Sequence, residues 1–180
     1  MNSTEIKFGG FGGQGVILAG IIIGRAASIY ENRFATLTQS FGPEARGSAC
    51  SAQVIVSDEK ILYPYVTGPE ILLVMSQEAC NLFLPQTTDD ATVIIEEDLV
   101  KPKGLKPGMK VYGIPATRLA EELGRKMILN IVMVGFFTAV TKLVNYKAVK
   151  EAVKASVPQG TEAMNLNAFE RGYQYGLQRT

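Results

Sequence analysis

The chain has 180 residues, 47% of them apolar, which suits one compact globular domain and excludes a disordered chain. Its 18 basic and 17 acidic residues leave a net charge of +1, and no block of like charge favours binding to nucleic acid or to a membrane surface. The sequence contains no histidine, so it offers no imidazole as a general base or metal ligand.

The apolar pattern predicts strands that alternate with helices along the chain. Strands are predicted at residues 5–8, 34–39, 49–57, 71–75, 91–95 and 110–112, with a short edge piece at 61–65. Helices are predicted at residues 13–30, 76–83, 116–123, 130–143, 146–156 and 161–175. This order predicts a single domain over residues 1–180 with an α/β fold, a Rossmann-like three-layer α/β/α sandwich around a mostly parallel sheet.

A glycine-rich turn follows the first predicted strand and reads Gly9-Gly10-Phe11-Gly12-Gly13-Gln14-Gly15. Such a turn directs backbone N–H groups outward at the positive end of a helix, where a phosphate or another anion binds well. Three interpretations stay open at this point: a tight turn without a ligand, a site for an anion such as a coenzyme phosphate, and a contact with a partner subunit.

The same turn satisfies the pattern G-x-G-x-x-G of dinucleotide-binding proteins. That fingerprint also requires an acidic residue at the end of the second strand, where this chain has Thr38-Gln39-Ser40. No Lys-Ser or Lys-Thr follows the glycines, which excludes a P-loop. The sequence therefore gives no support to a bound NAD or FAD.

A second loop, residues 40–48, contains Glu44, Arg46 and Gly47 and is expected beside the glycine turn, at the carboxyl end of the second strand. Arg46 is suited to bind a phosphate or carboxylate through two hydrogen bonds, or else to pair with Glu44 alone. Further along, Glu96-Glu97-Asp98 is expected to form a solvated acidic turn, with the binding of a cation as the alternative.

The two cysteines, Cys50 and Cys80, are too few to hold an iron–sulfur cluster and are not expected to form a disulfide. The N-terminal residues 1–5 lack the basic region of a secretory signal, and the apolar stretch 127–140 is shorter than the ~20 residues that cross a bilayer. We therefore expect a cytoplasmic protein. If the chain takes part in catalysis, the missing histidines predict that it contributes binding and shape while the chemistry is done elsewhere, so that it has no catalytic or metal-ligating residue of its own.

In their order and spacing, the glycine turn and the loop containing Glu44, Arg46 and Gly47 resemble the gamma subunit of 2-oxoacid:ferredoxin oxidoreductases. The run Asn130-Ile131-Val132-Met133-Val134-Gly135 is similar to that family too, and the resemblance extends over almost the whole chain.

The resemblance implies a role in a complex that converts a 2-oxoacid and coenzyme A to acyl-CoA, CO2 and reduced ferredoxin. Thiamine diphosphate and iron–sulfur clusters would lie in the partner alpha, beta and ferredoxin-like delta subunits, and this chain would carry no cofactor and be inactive alone. Its part would be to help form the coenzyme A site, through Gly12, Gly13, Gln14, Gly15, Glu44, Arg46 and Gly47. The overall likeness favours 2-oxoglutarate, while pyruvate, branched-chain and indolepyruvate substrates stay open.

Two other functions stay open. One is a stand-alone Rossmann-like nucleotide-binding or regulatory module, and the other is an independent NAD-dependent oxidoreductase, which the missing ribose-binding acid disfavours. Formation of a homodimer by the isolated chain is compatible with the first of these and with the subunit hypothesis.

Overall fold

The computed structural model describes residues 3–41 and 49–179. Within them, six strands form one sheet in the order β2-β3-β1-β4-β5-β6. The strands are β1 (Ser3–Phe11), β2 (Phe34–Ser40), β3 (Ala49–Ser57), β4 (Ile71–Val74), β5 (Thr92–Glu96) and β6 (Lys110–Ile114).

The sheet is mostly parallel, as the sequence predicts. β1, β4, β5 and β6 are parallel neighbours, whereas β3 runs antiparallel to both β1 and β2. The exception follows from chain length, because residues 41–48 are too few for the crossover of about a dozen residues that parallel neighbours need.

Helices cover the two faces of the sheet unequally. The helices are α1 (Val16–Arg25), continued by a π-helical turn (Ala26–Tyr30), α2 (Gln77–Phe83), α3 (Ala116–Glu122), α4 (Leu129–Thr141), α5 (Tyr146–Ser156) and α6 (Glu162–Leu177). α1 and α3 to α6 pack with side chains such as Ile6 and Phe8 in the larger core, while α2 packs in a smaller core on the opposite face. The predicted three-layer sandwich is therefore confirmed.

The predicted start of the first helix was wrong. The helix begins at Val16, not at residue 13 or 14, because Gly13 and Gly15 have φ angles of 94° and 73°, which a right-handed helix excludes. The predicted edge piece at 61–65 is not a strand either, since Pro64 has no N–H group for a ladder. Glu44, Arg46 and Gly47 lie outside the described residues.

A hydrogen bond from Tyr146 to Glu170 joins α5 to α6, and the Tyr146 ring packs against Phe169 and Tyr173. Burial, together with the Glu170 carboxylate, raises the pKa of Tyr146 to about 12. A phenol whose folded pKa lies above its ordinary value of 10.0 stabilises the fold fully below pH 10, and this contribution is lost as the pH rises towards 12.

We therefore expect the free energy of unfolding to fall more steeply above pH 10 in the unmodified chain than in Tyr146→Phe. The difference in slope should stay below about 1.4 kcal/mol per pH unit, since Tyr146 is partly exposed. Urea denaturation at several values between pH 9 and pH 11.5 measures both slopes. Equal slopes in the two proteins would contradict the assignment of this bond.

Candidate anion site at the carboxyl edge of the sheet

The glycine turn presents free backbone donors at the carboxyl end of β1. Gly15 caps α1 in a left-handed conformation, and no side chain caps the helix. Within residues 3–41 and 49–179, no acceptor receives a hydrogen bond from the backbone N–H of Gly12, Gly13 or Ile17. Gly12 and Gly13 are exposed. Together with the positive helix end, about half an elementary charge, these groups form a surface suited to an anion.

Gln14 holds the turn in shape. Its Oε1 accepts a hydrogen bond from the Phe11 N–H at 2.7 Å, and its Nε2 donates to the carbonyl oxygen of Met75 at 2.9 Å. Because Met75 follows β4, this side chain ties the turn to the neighbouring strand. Both amide atoms are thus already hydrogen-bonded to the main chain, and a contact of Gln14 with a ligand stays a prediction.

Asn130 supports the turn from the opposite side. It lies in the first turn of α4, is 3% exposed, and donates from Nδ2 to the carbonyl oxygen of Gly15 at 3.2 Å. A Cβ atom on Gly15 would overlap the Asn130 side chain, and Gly15 also has a positive φ angle. Both the lack of space and the backbone conformation therefore require glycine at this position. The sequence pattern does not predict this role for Asn130, although a single amide side chain within an apolar helix is a signal that points to a specific hydrogen bond.

The second predicted loop approaches the same edge through its described ends. Ser40 and Gly9 both lie opposite Ser51, and Ala49 pairs directly with Phe11. The strands on either side of segment 42–48 therefore reach the level of the glycine turn, and the position of Glu44, Arg46 and Gly47 stays a prediction. Phe11 and Phe41, with 37% and 69% of their surface exposed, add apolar area to this edge.

The prediction of a solvated acidic turn after β5 was wrong for Glu96. This carboxylate is completely buried and accepts hydrogen bonds from the backbone N–H groups of Leu99 at 2.8 Å and Thr117 at 3.4 Å. Burial raises the pKa of Glu96, although the two N–H groups oppose this effect. Glu96 therefore links the turn that follows β5 to the first residues of α3. Asp98, two residues further on, forms an ion pair with Arg118 at 2.6 Å.

Two kinds of feature are absent from the part of the chain that the structure describes. In residues 3–41 and 49–179, no group of three or more histidine, cysteine, aspartate or glutamate residues is placed to hold a metal ion. None of the helices found in these residues combines the length and apolar character needed to cross a bilayer.

The model of the pyruvate ferredoxin/flavodoxin oxidoreductase family matches residues 5–175. The chain belongs to this family. It is 45% identical over 172 residues to the 2-oxoglutarate synthase subunit KorC of Methanocaldococcus jannaschii, covering 94% of this chain and 92% of that protein. It is 32% identical over 181 residues to the pyruvate synthase subunit PorC of the same organism, covering 97% of this chain and 98% of that protein.

A solved structure agrees with this assignment to the pyruvate ferredoxin/flavodoxin oxidoreductase family. The keto/oxoacid ferredoxin oxidoreductase gamma subunit from Geobacter sulfurreducens superimposes with a TM-score of 0.86 at 34% identity, covering 97% of this chain and 99% of that one. The resemblance read from the two loops and the 130–135 run is thereby confirmed at the level of the family. The family match begins before the glycine turn and extends past Asn130, so both lie inside it.

Proposed function

We propose that this chain is the gamma-type subunit of a 2-oxoacid:ferredoxin oxidoreductase that acts on 2-oxoglutarate, with acyl-CoA, CO2 and reduced ferredoxin as products. The observation that carries the proposal is the 45% identity to a 2-oxoglutarate synthase subunit over nearly the full length of both chains. The lower identity of 32% to a pyruvate synthase subunit favours 2-oxoglutarate over pyruvate. The whole of residues 1–180 acts as one domain in this proposal.

The glycine turn supplies a binding surface for a phosphate of coenzyme A. The N–H groups of Gly12 and Gly13, which have no acceptor among the described residues, lie at the positive end of α1. Gln14 and Gly15 fix the shape of the turn. Arg46 completes the surface with a charged donor for a second phosphate oxygen. Glu44 and Gly47 belong to the same loop and are included in the proposed site. Support comes from the described ends of that loop, which lie beside the turn.

The redox chemistry belongs to partner subunits in this proposal. Alpha, beta and ferredoxin-like delta subunits carry thiamine diphosphate and iron–sulfur clusters, and the gamma chain carries no cofactor and is inactive alone. The complex works in the cytoplasm, and the two buried, unpaired thiols, Cys50 and Cys80, are compatible with a reducing compartment.

An affinity purification tests the proposal. The tagged chain is isolated from its own cells without oxygen, and the eluate is assayed for viologen reduction that depends on a 2-oxoacid and on coenzyme A. We expect thiamine- and cluster-bearing subunits to co-purify, with the highest rate on 2-oxoglutarate. A chain that purifies alone without such activity would overturn the proposal and favour an independent nucleotide-binding module. Activity on pyruvate alone would overturn the substrate assignment.

The Arg46→Ala variant of the assembled complex should raise the KM for coenzyme A about tenfold, because one charge-assisted hydrogen bond to phosphate is lost. Lys154→Ala is the matched control, since Lys154 is an exposed basic residue on α5. Initial rates at varied coenzyme A concentration measure the effect, and thermal unfolding of the isolated chain checks that the fold is intact. The same KM in both variants would leave Arg46 without this role.

A further inference from the structure

Among the strands that the structure describes, β2 forms one edge of the sheet, and its seven residues carry no charge. Its seven residues, Phe34-Ala35-Thr36-Leu37-Thr38-Gln39-Ser40, contain neither a charged side chain nor a proline. The opposite edge, β6, is shorter and begins with the exposed Lys110. Folded proteins protect edge strands with charges, prolines or short length, because an unprotected edge pairs with another strand. β6 has such protection, and β2 lacks it.

We propose that β2 pairs antiparallel with β2 of a second copy of this chain, which extends the sheet continuously through a two-fold axis at Leu37. In this arrangement Leu37 lies opposite its own copy, Thr36 opposite Thr38, and Ala35 opposite Gln39. Every such pair is neutral, and threonine pairs across antiparallel strands are favourable. A two-fold axis requires a strand that complements itself, and this neutral sequence does so without any contact between like charges.

The surface beside β2 enlarges the contact. A groove of about 260 Å³ lies between α1 and β2 and is lined by Ile21, Arg25, Ile29 and Leu37 among others. The exposed fractions are 65% for Ile29 and 39% for Leu37, which line this groove, and 47% for Phe34 at the start of β2. Paired strands alone bury less area than the 1,200–2,000 Å² or so of a stable interface, and these side chains add to it.

Two described arginines of this region, Arg25 and Arg33, are held by hydrogen bonds within the chain. Arg25 donates to the carbonyl oxygen of Ala155 at 2.7 Å, on α5. Arg33 donates to Asp58 at 2.8 Å and to the carbonyl oxygen of Leu143 at 2.9 Å. Along residues 34–40 themselves, a second copy therefore meets backbone and neutral side chains.

Analytical ultracentrifugation of the isolated full-length chain tests the proposal. We expect a dimer with twice the 19.5 kDa mass of the chain. Leu37→Lys places two ammonium groups at the axis and should raise the dimer dissociation constant about 100-fold. Val111→Lys on β6 is the matched control, because Val111 is also 39% exposed and lies on the other edge strand. This variant should remain dimeric.

Placing opposite charges at residue 37 of the two copies distinguishes the proposed interface from any other dimer contact. Leu37→Lys mixed with Leu37→Glu should restore a dimer that contains one copy of each, since residue 37 faces residue 37 only across the proposed axis. The proposal is overturned if the unmodified chain is monomeric at 100 μM or so, well above dissociation constants of stable dimers. It is also overturned if Leu37→Lys stays dimeric, or if the mixed variants fail to associate.

Discussion

Gly12→Asp should raise the KM for coenzyme A at least 30-fold or so in the assembled complex while the chain keeps its thermal stability. Gly12 is exposed and its backbone is not in the left-handed region. A Cβ atom added there would meet no atom within 4 Å, so a side chain fits without strain. A carboxylate at this position would lie beside the free N–H groups that we assign to a phosphate. Close contact between like charges costs about 2 kcal/mol or more, which corresponds to this change in KM.

Two control variants separate charge from shape in this experiment. Gly12→Ala adds a methyl group without charge, so its KM should rise far less than that of Gly12→Asp. Gln159→Asp adds the same charge at an exposed position in the connection between α5 and α6, and its KM should be unchanged. Initial rates at saturating 2-oxoglutarate and varied coenzyme A give all three values.

The outcome also decides between the three interpretations of the glycine turn. An unchanged KM in Gly12→Asp would exclude a phosphate at this turn and leave a turn without a ligand. Failure of the variant to join the complex, with normal folding of the chain alone, would instead show that the turn contacts a partner subunit. A raised KM in an intact complex is the only result that supports the anion site.

Much of the fold could be predicted because local apolar patterns fix the type of each element. The predicted bounds of β3 and α5 agree with the structure, since turn residues and a capping side chain flank them; Asn145, for example, accepts a hydrogen bond from the Lys147 N–H at 2.8 Å. The start of α1 could not be predicted in this way, because the pattern shows glycines but not the positive φ angles of Gly13 and Gly15.

The site was predictable in position but not in the roles of its side chains. The strand-turn-helix pattern placed the glycine turn at the carboxyl edge of the sheet. The partners of that turn are distant in sequence: Gln14 bonds to Met75 and Gly15 to Asn130, 61 and 115 residues away. Glu96 shows the same limit, since its acidic neighbours suggested solvent and only the packing of α3 shows that it is buried.

The second large effect is expected where α4 crosses α6. Gly135 faces the backbone oxygen of Phe169, and Gly172 faces the backbone oxygen of Val132, so each glycine lies against the main chain of the other helix. A Cβ atom at either position would overlap that oxygen far inside van der Waals contact. The two helices can relieve this overlap only by moving apart, which would open the core around Phe136 and Phe169.

Gly172→Ala should therefore lower the free energy of unfolding by about 3 kcal/mol or more, even though alanine favours a helix over glycine by about 1 kcal/mol. Gly24→Ala in α1 is the matched control, because its Cβ would meet only Val54, at 3.9 Å. That variant should gain stability from helix propensity alone. Urea denaturation of both variants measures the difference. If Gly172→Ala were as stable as Gly24→Ala, the close backbone contact between α4 and α6 described here would be contradicted.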